Sequence, residues 1–166
     1  MSNVDEVTSL LAKESKQDGA DFSEYDLNGV SINGASFVYA TFDKAKLENS
    51  ELTGINFSQA SLEGSSLKGS KLTDIDFTGA KLTGVNFEET VFVNCTFKNV
   101  IAEHSEISSA NFKNCKLRGS NLSHSNFYSA IFDECDLSFS RLMYTYMKQV
   151  ETVSYTHLTL PTILLV

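Results

Sequence analysis

The chain has no tryptophan, one proline, three cysteines and three histidines among its 166 residues. So few cysteines cannot build a disulfide framework, and their use fits a reducing cytoplasm. No apolar run reaches the roughly 18 residues that a membrane span requires. Positive charge is also short: 13 Lys and Arg stand against 21 Asp and Glu, a net charge of -8. Binding to phosphates needs a basic patch, so the balance disfavours direct nucleic-acid contact. It suits a protein partner with a basic surface. The opening stretch, MSNVDEVTSLLAKESK, has neither the basic start nor the apolar segment of a signal peptide.

What the chain does have is a repeat. Stepping by five from Ala20–Glu24 (ADFSE) keeps one register to Gln149, giving 26 pentads. Eleven pentad centres are Phe and eleven are Leu; the others are Ile32, Ile107, Met147 and the one weak centre, Ala102. The position two before the centre is small or compact, as at Ala40, Ala60, Ala80 and Ser50. Eight of the nine glycines fall two after a centre, where a backbone corner favours them. A period of five fits neither a helix nor a simple strand. It fits a short extended segment that points two side chains inward and then turns. Such a unit cannot bury its apolar pair alone, so copies must coil and stack.

A longer period counts the sides of the coil. Cys95, Cys115 and Cys135 are 20 residues apart, as are Phe37, Phe57, Phe77 and Phe97, and as are Phe92, Phe112 and Phe132. Four pentads per turn place each set in one column. Strand spacing of about 4.8 Å then predicts roughly six and a half coils, a rod on the order of 30 Å long.

ADFSE, AKLEN, ASLEG, AKLTG and ANFKN match A(D/N)LXX, so the chain resembles the pentapeptide-repeat family over residues 20–149. The resemblance implies an all-β fold, a right-handed quadrilateral parallel β-helix. It also implies that some relatives are acidic rods that imitate duplex DNA and bind DNA gyrase or topoisomerase IV.

Residues 1–19 are expected to form an N-terminal capping helix that covers the open end of the rod. Ser2 or Asn3 would cap it with Asp5 or Glu6, Val4, Val7, Leu10 and Leu11 would form its apolar stripe, and Gly19 would end it. After Val150 the pentad logic fails. Residues 150–166 are expected to be a non-repeat tail, with Val153–Val166 foreign to the native protein. A homodimer would form through the C-terminal end that this tail replaces.

The stretch NCTFKNVIAEHSEISSANFKNC (94–115) frames a histidine and two glutamates with two cysteines. The register separates them: Cys95 and Cys115 point inward, where buried thiols act as small hydrophobes, while His104 and His124 occupy outer corners. No metal, cofactor or catalytic residue is expected. SINGAS and SLEGSSLKGS are explained as corners rather than phosphate loops, no nucleophile–base pair stands out, and a filled coil leaves little room for a concave site.

Calling the four sides face one (from Ala20), face two (from Tyr25), face three (from Val30) and face four (from Ala35), the first three each carry a net charge of -2 and the fourth +1. The acidic clusters are Glu88 and Glu89, Glu103 and Glu106, and Asp133 and Glu134. They nominate a partner-binding surface. The leading reading is a non-catalytic protein-binding or scaffold module. The alternative is a DNA mimic acting on a type II topoisomerase, although the chain lacks the loop insertions of the quinolone-resistance relatives.

Overall fold

The computed structural model describes residues 3–153. Its repeating unit is the pentad: Phe37, Phe57 and Phe77 at the centres and Ala40, Ala60 and Ala80 two before a centre are all fully buried. Consecutive coils are joined in parallel at a register of 20 residues. Phe37 N donates to Asn56 O at 2.8 Å, and Asn56 N donates back to Ala35 O at 2.9 Å. The chain is therefore a four-sided parallel β-solenoid, four pentads to the turn.

Only face three is regular enough to form strands. β1 (Ser31–Asn33), β2 (Glu51–Thr53), β3 (Lys71–Thr73), β4 (Val91–Val93), β5 (Asn111–Lys113), β6 (Ile131–Asp133) and β7 (Glu151–Val153) make one parallel sheet in chain order. The corners explain the difference. On the other faces the corner usually closes with a turn bond, such as Ala40 N to Phe37 O at 3.0 Å. At Ser50 and Ser105 the amide instead donates to the hydroxyl of the serine one coil on, both at 3.0 Å. After face three the strand runs into an open corner with no turn bond among the described residues. The next inward positions there are Ala35, Ile55, Ile75, Cys95, Cys115 and Cys135. Every fifth residue from Gly19 to Gln149 has positive φ, including Tyr39, Phe139 and Tyr144. Bulky residues seldom accept this conformation; the coil-to-coil hydrogen bonds impose it.

The core is layered. Phe37, Phe57, Phe77 and Phe97 stack at 5.0–5.5 Å between ring centroids. The ladder then moves to face three, where Phe92, Phe112 and Phe132 stack at 4.6 and 4.8 Å. Phe97 meets Phe92 edge to face at 5.2 Å, which bridges the two ladders. Ala102 and Val100, on face one just after Phe97 in the chain, are both buried in the core. Ala102→Leu is expected to overpack it and to lower stability by about 1–3 kcal/mol; a higher melting temperature would refute that.

Most buried hydroxyls two before a centre share one bond, donating to the carbonyl of a centre 23 residues earlier: Ser70 to Leu47 O at 2.6 Å, Thr90 to Leu67 O at 2.8 Å, Ser105 to Leu82 O at 3.0 Å and Ser140 to Leu117 O at 2.7 Å, while Ser120 donates to the Ser140 hydroxyl at 3.1 Å. Ser65 Oγ is buried without a partner. Ser65→Ala should therefore be neutral or should raise stability by up to about 1 kcal/mol. Ser70→Ala should cost about 1–3 kcal/mol, because Ser70 Oγ also accepts from Ser50 N. Chemical denaturation of the two variants checks the contrast.

Both ends differ from the sequence expectation. Helix α1 spans Asn3–Lys13 and stops short of Gly19. Its Val7 is buried against the first coil, with Val4, Leu10 and Leu11 packed alongside, so the expected apolar stripe does cover the rod end. Asn3 Oδ1 accepts from Asp26 N at 3.0 Å, and Glu6 accepts from the Tyr25 hydroxyl at 3.1 Å. The coil itself starts with Ser15–Gly19. Gln17 N donates to Ser36 O at 2.8 Å, Ser36 N to Ser15 O at 2.9 Å, and Gly19 N to Val38 O at 2.9 Å. Gly19 is thus a pentad corner with φ 71° rather than a helix stop, and Gln17 is a polar centre. At the other end the register continues past Val150, with Thr152 paired to Phe132 in β7. The foreign-looking segment beyond Val153 lies outside the described residues. In the last coil Leu142 and Met147 are only half-buried.

Candidate interaction surface

The cysteine column is core. All three thiols are free and buried. Their Sγ atoms occupy the hydroxyl position of the other columns: Cys95 approaches Leu72 O at 3.5 Å, Cys115 Phe92 O at 3.7 Å and Cys135 Phe112 O at 3.3 Å. The Cys135 thiol pulls Cys115 down, but the Cys95 thiol and burial outweigh it and push Cys115 up to about 12. The Cys115 thiol, and then burial, push Cys135 upward as well. Cys115 and Cys135 therefore keep their protons, which does not suit a nucleophile or metal ligand, while Cys95 is lowered by its hydrogen bond with Cys115 against the opposing effect of burial. His104 and His124 stack at 4.9 Å on an outer corner, and Tyr144 continues the stack at 4.9 Å. Among the described residues no group of three or more His, Cys, Asp or Glu side chains is gathered to hold a metal ion.

The six acidic candidates fall on three faces. Glu88, Glu89 and Glu106 belong to face two and its corner, and Glu103 sits on face one just before His104. Glu103 and Glu106 flank the corner between those faces. Asp133 and Glu134 lie on face three, on a later coil. The carboxylates are not equally available. Lys68 binds Glu88 at 2.6 Å, and the Glu88 hydrogen bond holds the Lys68 ammonium above its ordinary range. Glu106 accepts from Asn126 Nδ2 at 2.9 and 3.0 Å, and Glu103 from Asn121 Nδ2 at 2.7 Å. These amides orient carboxylates without cancelling their charge. On the corner after face three, Asn114 donates to Asn94 at 2.8 Å and Asn94 to Asp74 at 3.0 Å. Asp74 and Glu134 occupy the two ends of that row.

Charge reading missed the pairing at Glu88, although a lysine and a glutamate 20 residues apart were its signal. It also missed an aromatic patch at the C-terminal end, where Phe139, Tyr144 and Tyr146 are exposed.

A family model for pentapeptide repeats matches the chain in eight copies, over residues 18–54, 40–79, 70–105 and 105–142. The chain belongs to the pentapeptide-repeat family. Among solved pentapeptide-repeat structures it is similar to Rfr23 from the cyanobacterium Cyanothece 51142, at 18% identity and TM-score 0.54, covering 90% of this chain and 95% of that one. It is also similar to a trypsin-treated form of QnrB1, a plasmid-mediated fluoroquinolone resistance protein. That match has 12% identity and TM-score 0.55, covering 82% of this chain and 90% of the other. At such identities the likeness establishes the pentapeptide-repeat fold alone. No curated protein matches this chain. Among its described residues no helix is long and apolar enough to cross a membrane.

Proposed function

We propose that this pentapeptide-repeat solenoid is a non-catalytic scaffold that binds a protein partner carrying a basic surface. The filled core supports this most. The inward rows are closed by stacked rings and methyl groups, so chemistry would have to be done by the outer rows. Those rows hold single carboxylates, amides and hydroxyls at fixed spacing, a surface suited to recognition. Glu89, Glu103 and Glu106 lie close together on neighbouring coils and take no part in the described ion pairs, although Glu89 adds to the field on Lys68. They form an acidic band across face two, from its corner with face one to its corner with face three, that a basic partner would meet.

A labelled hexalysine peptide tests the reading by fluorescence anisotropy. Glu89→Gln, Glu103→Gln and Glu106→Gln together should weaken binding about tenfold or more, and Asp133→Gln with Glu134→Gln should change it little. Equal effects of the two sets would contradict it.

The alternative, a DNA mimic directed at gyrase or topoisomerase IV, calls for a continuous acidic stripe. Lys68 interrupts face two and Lys71 face three. A supercoiling assay with micromolar protein separates the readings: inhibition of gyrase, or protection from a quinolone, would favour mimicry.

A further inference from the structure

The corner where face four meets face one carries a different feature. Face four and its corner hold a cavity of about 310 Å³ lined by Lys98, Asn99, Arg118, Gly119 and Phe139. Its origin lies in the corner row Asn99–Gly119–Phe139. Gly119 supplies no side chain between two larger residues, and the Asn99 amide leans across it, with Oδ1 2.5 Å from where a Cβ would stand. On the next coil Phe139 projects outward, 64% exposed. The Arg118 guanidinium lies over its ring at 4.6 Å.

We infer that this cavity is a docking site for an acidic peptide segment, with Arg118 and Lys98 gripping a carboxylate. Stacking on an aromatic ring fixes the guanidinium plane and leaves its edge free for a carboxylate fork. Among the described residues Arg118 makes no ion pair or side-chain hydrogen bond, and neither does Lys98, one coil away. Both stand on the one face whose net charge is positive, +1, on a chain of net charge -8. The island is small: along the outer row of face four, Asp76 and Asp136 flank Thr96 and Lys116 on the coils before and after. A duplex or long polyanion would run onto those acids and onto the acidic faces either side, whereas a short segment with one or two carboxylates fits between them. The exposed Phe139 ring offers an apolar plate for the residue beside the carboxylate.

On the proposed function, the rod would then present sites of opposite charge on different faces, so that one scaffold could hold a basic and an acidic partner together. The test is anisotropy with labelled hexaglutamate, hexaglutamine and a 12-base-pair DNA duplex. Hexaglutamate should bind, weaken with added salt, and lose about tenfold in affinity in Arg118→Ala and in Lys98→Ala. Phe139→Ser, which keeps both cations, should lose less, and Lys81→Ala on face one should change nothing. All these positions are exposed, and unchanged circular dichroism verifies the fold of each variant. Hexaglutamate that fails to bind at millimolar concentration, that binds the Arg118 and Lys98 variants as well as the wild type, or that binds no better than hexaglutamine would overturn the inference. So would a duplex that binds more tightly than hexaglutamate.

Discussion

Phe77→Ala is expected to destabilise the solenoid by about 3–5 kcal/mol. Phe77 is fully buried, and its ring lies between Phe57 at 5.5 Å and Phe97 at 5.0 Å. Truncation opens a cavity that the wall cannot close. The Phe77 amide donates to Thr96 O at 2.8 Å, and its neighbour Asp76 N donates to Ile55 O at 3.0 Å, so the coil is held from both sides. The gap therefore persists, and the loss combines transfer and cavity costs. The same change at exposed Phe139 should alter stability by no more than about 0.5 kcal/mol. Urea denaturation followed by circular dichroism gives both values. A loss at Phe77 below about 1 kcal/mol would mean that the stacked column does not hold the rod together.

The second large effect is alkaline. Cys115 is pushed up to about 12 from an ordinary value of 9.0, and Cys135 is raised too. A thiol raised in the folded state keeps its proton after the unfolded chain has begun to lose it. Stability is therefore fully present below the unfolded value near 9.0 and is lost as pH rises toward the folded value near 12. Each such thiol contributes a slope of up to about 1.4 kcal/mol per pH unit across that window. Cys95 shifts the other way, lowered by its hydrogen bond with Cys115, so it is left in place; replacing Cys115 and Cys135 with serine keeps a donor at each position, as in the serine columns, and should flatten the slope. Denaturation midpoints between pH 8 and pH 11, on both proteins, read it directly. Equal slopes would show that the thiols are not what the alkaline loss reports.

Most of the fold was legible because the pentad is a steric rule. A large centre, a compact residue two before it and a corner two after it repeat through regular backbone geometry, and the 20-residue columns count the sides. The ends were less legible for a specific reason. Gln17 and Thr152 occupy centre positions but are polar, so the apolar register hides the first half-coil and the last pairing. Gly19 then looked like a helix stop when it is the ninth glycine to mark a corner. The bonds from buried hydroxyls and thiols to carbonyls 23 residues earlier were invisible, because serine and cysteine at a compact position look like substitutes for alanine. On the surface, face totals averaged away what individual rows hold. Lys68 and Glu88 cancel within one row, while Lys98 and Arg118 gather on a face whose sum is only +1.

We propose that the outer rows of the filled rod are its working surface, with the acidic band across face two receiving the basic partner. Amide chemical-shift mapping of the isotope-labelled protein with hexalysine tests it most directly. Shifts should concentrate at Glu89, Glu103 and Glu106 and their coil neighbours, with face four unmoved. Shifts spread evenly over all four faces, or centred on Asp133 and Glu134, would contradict it.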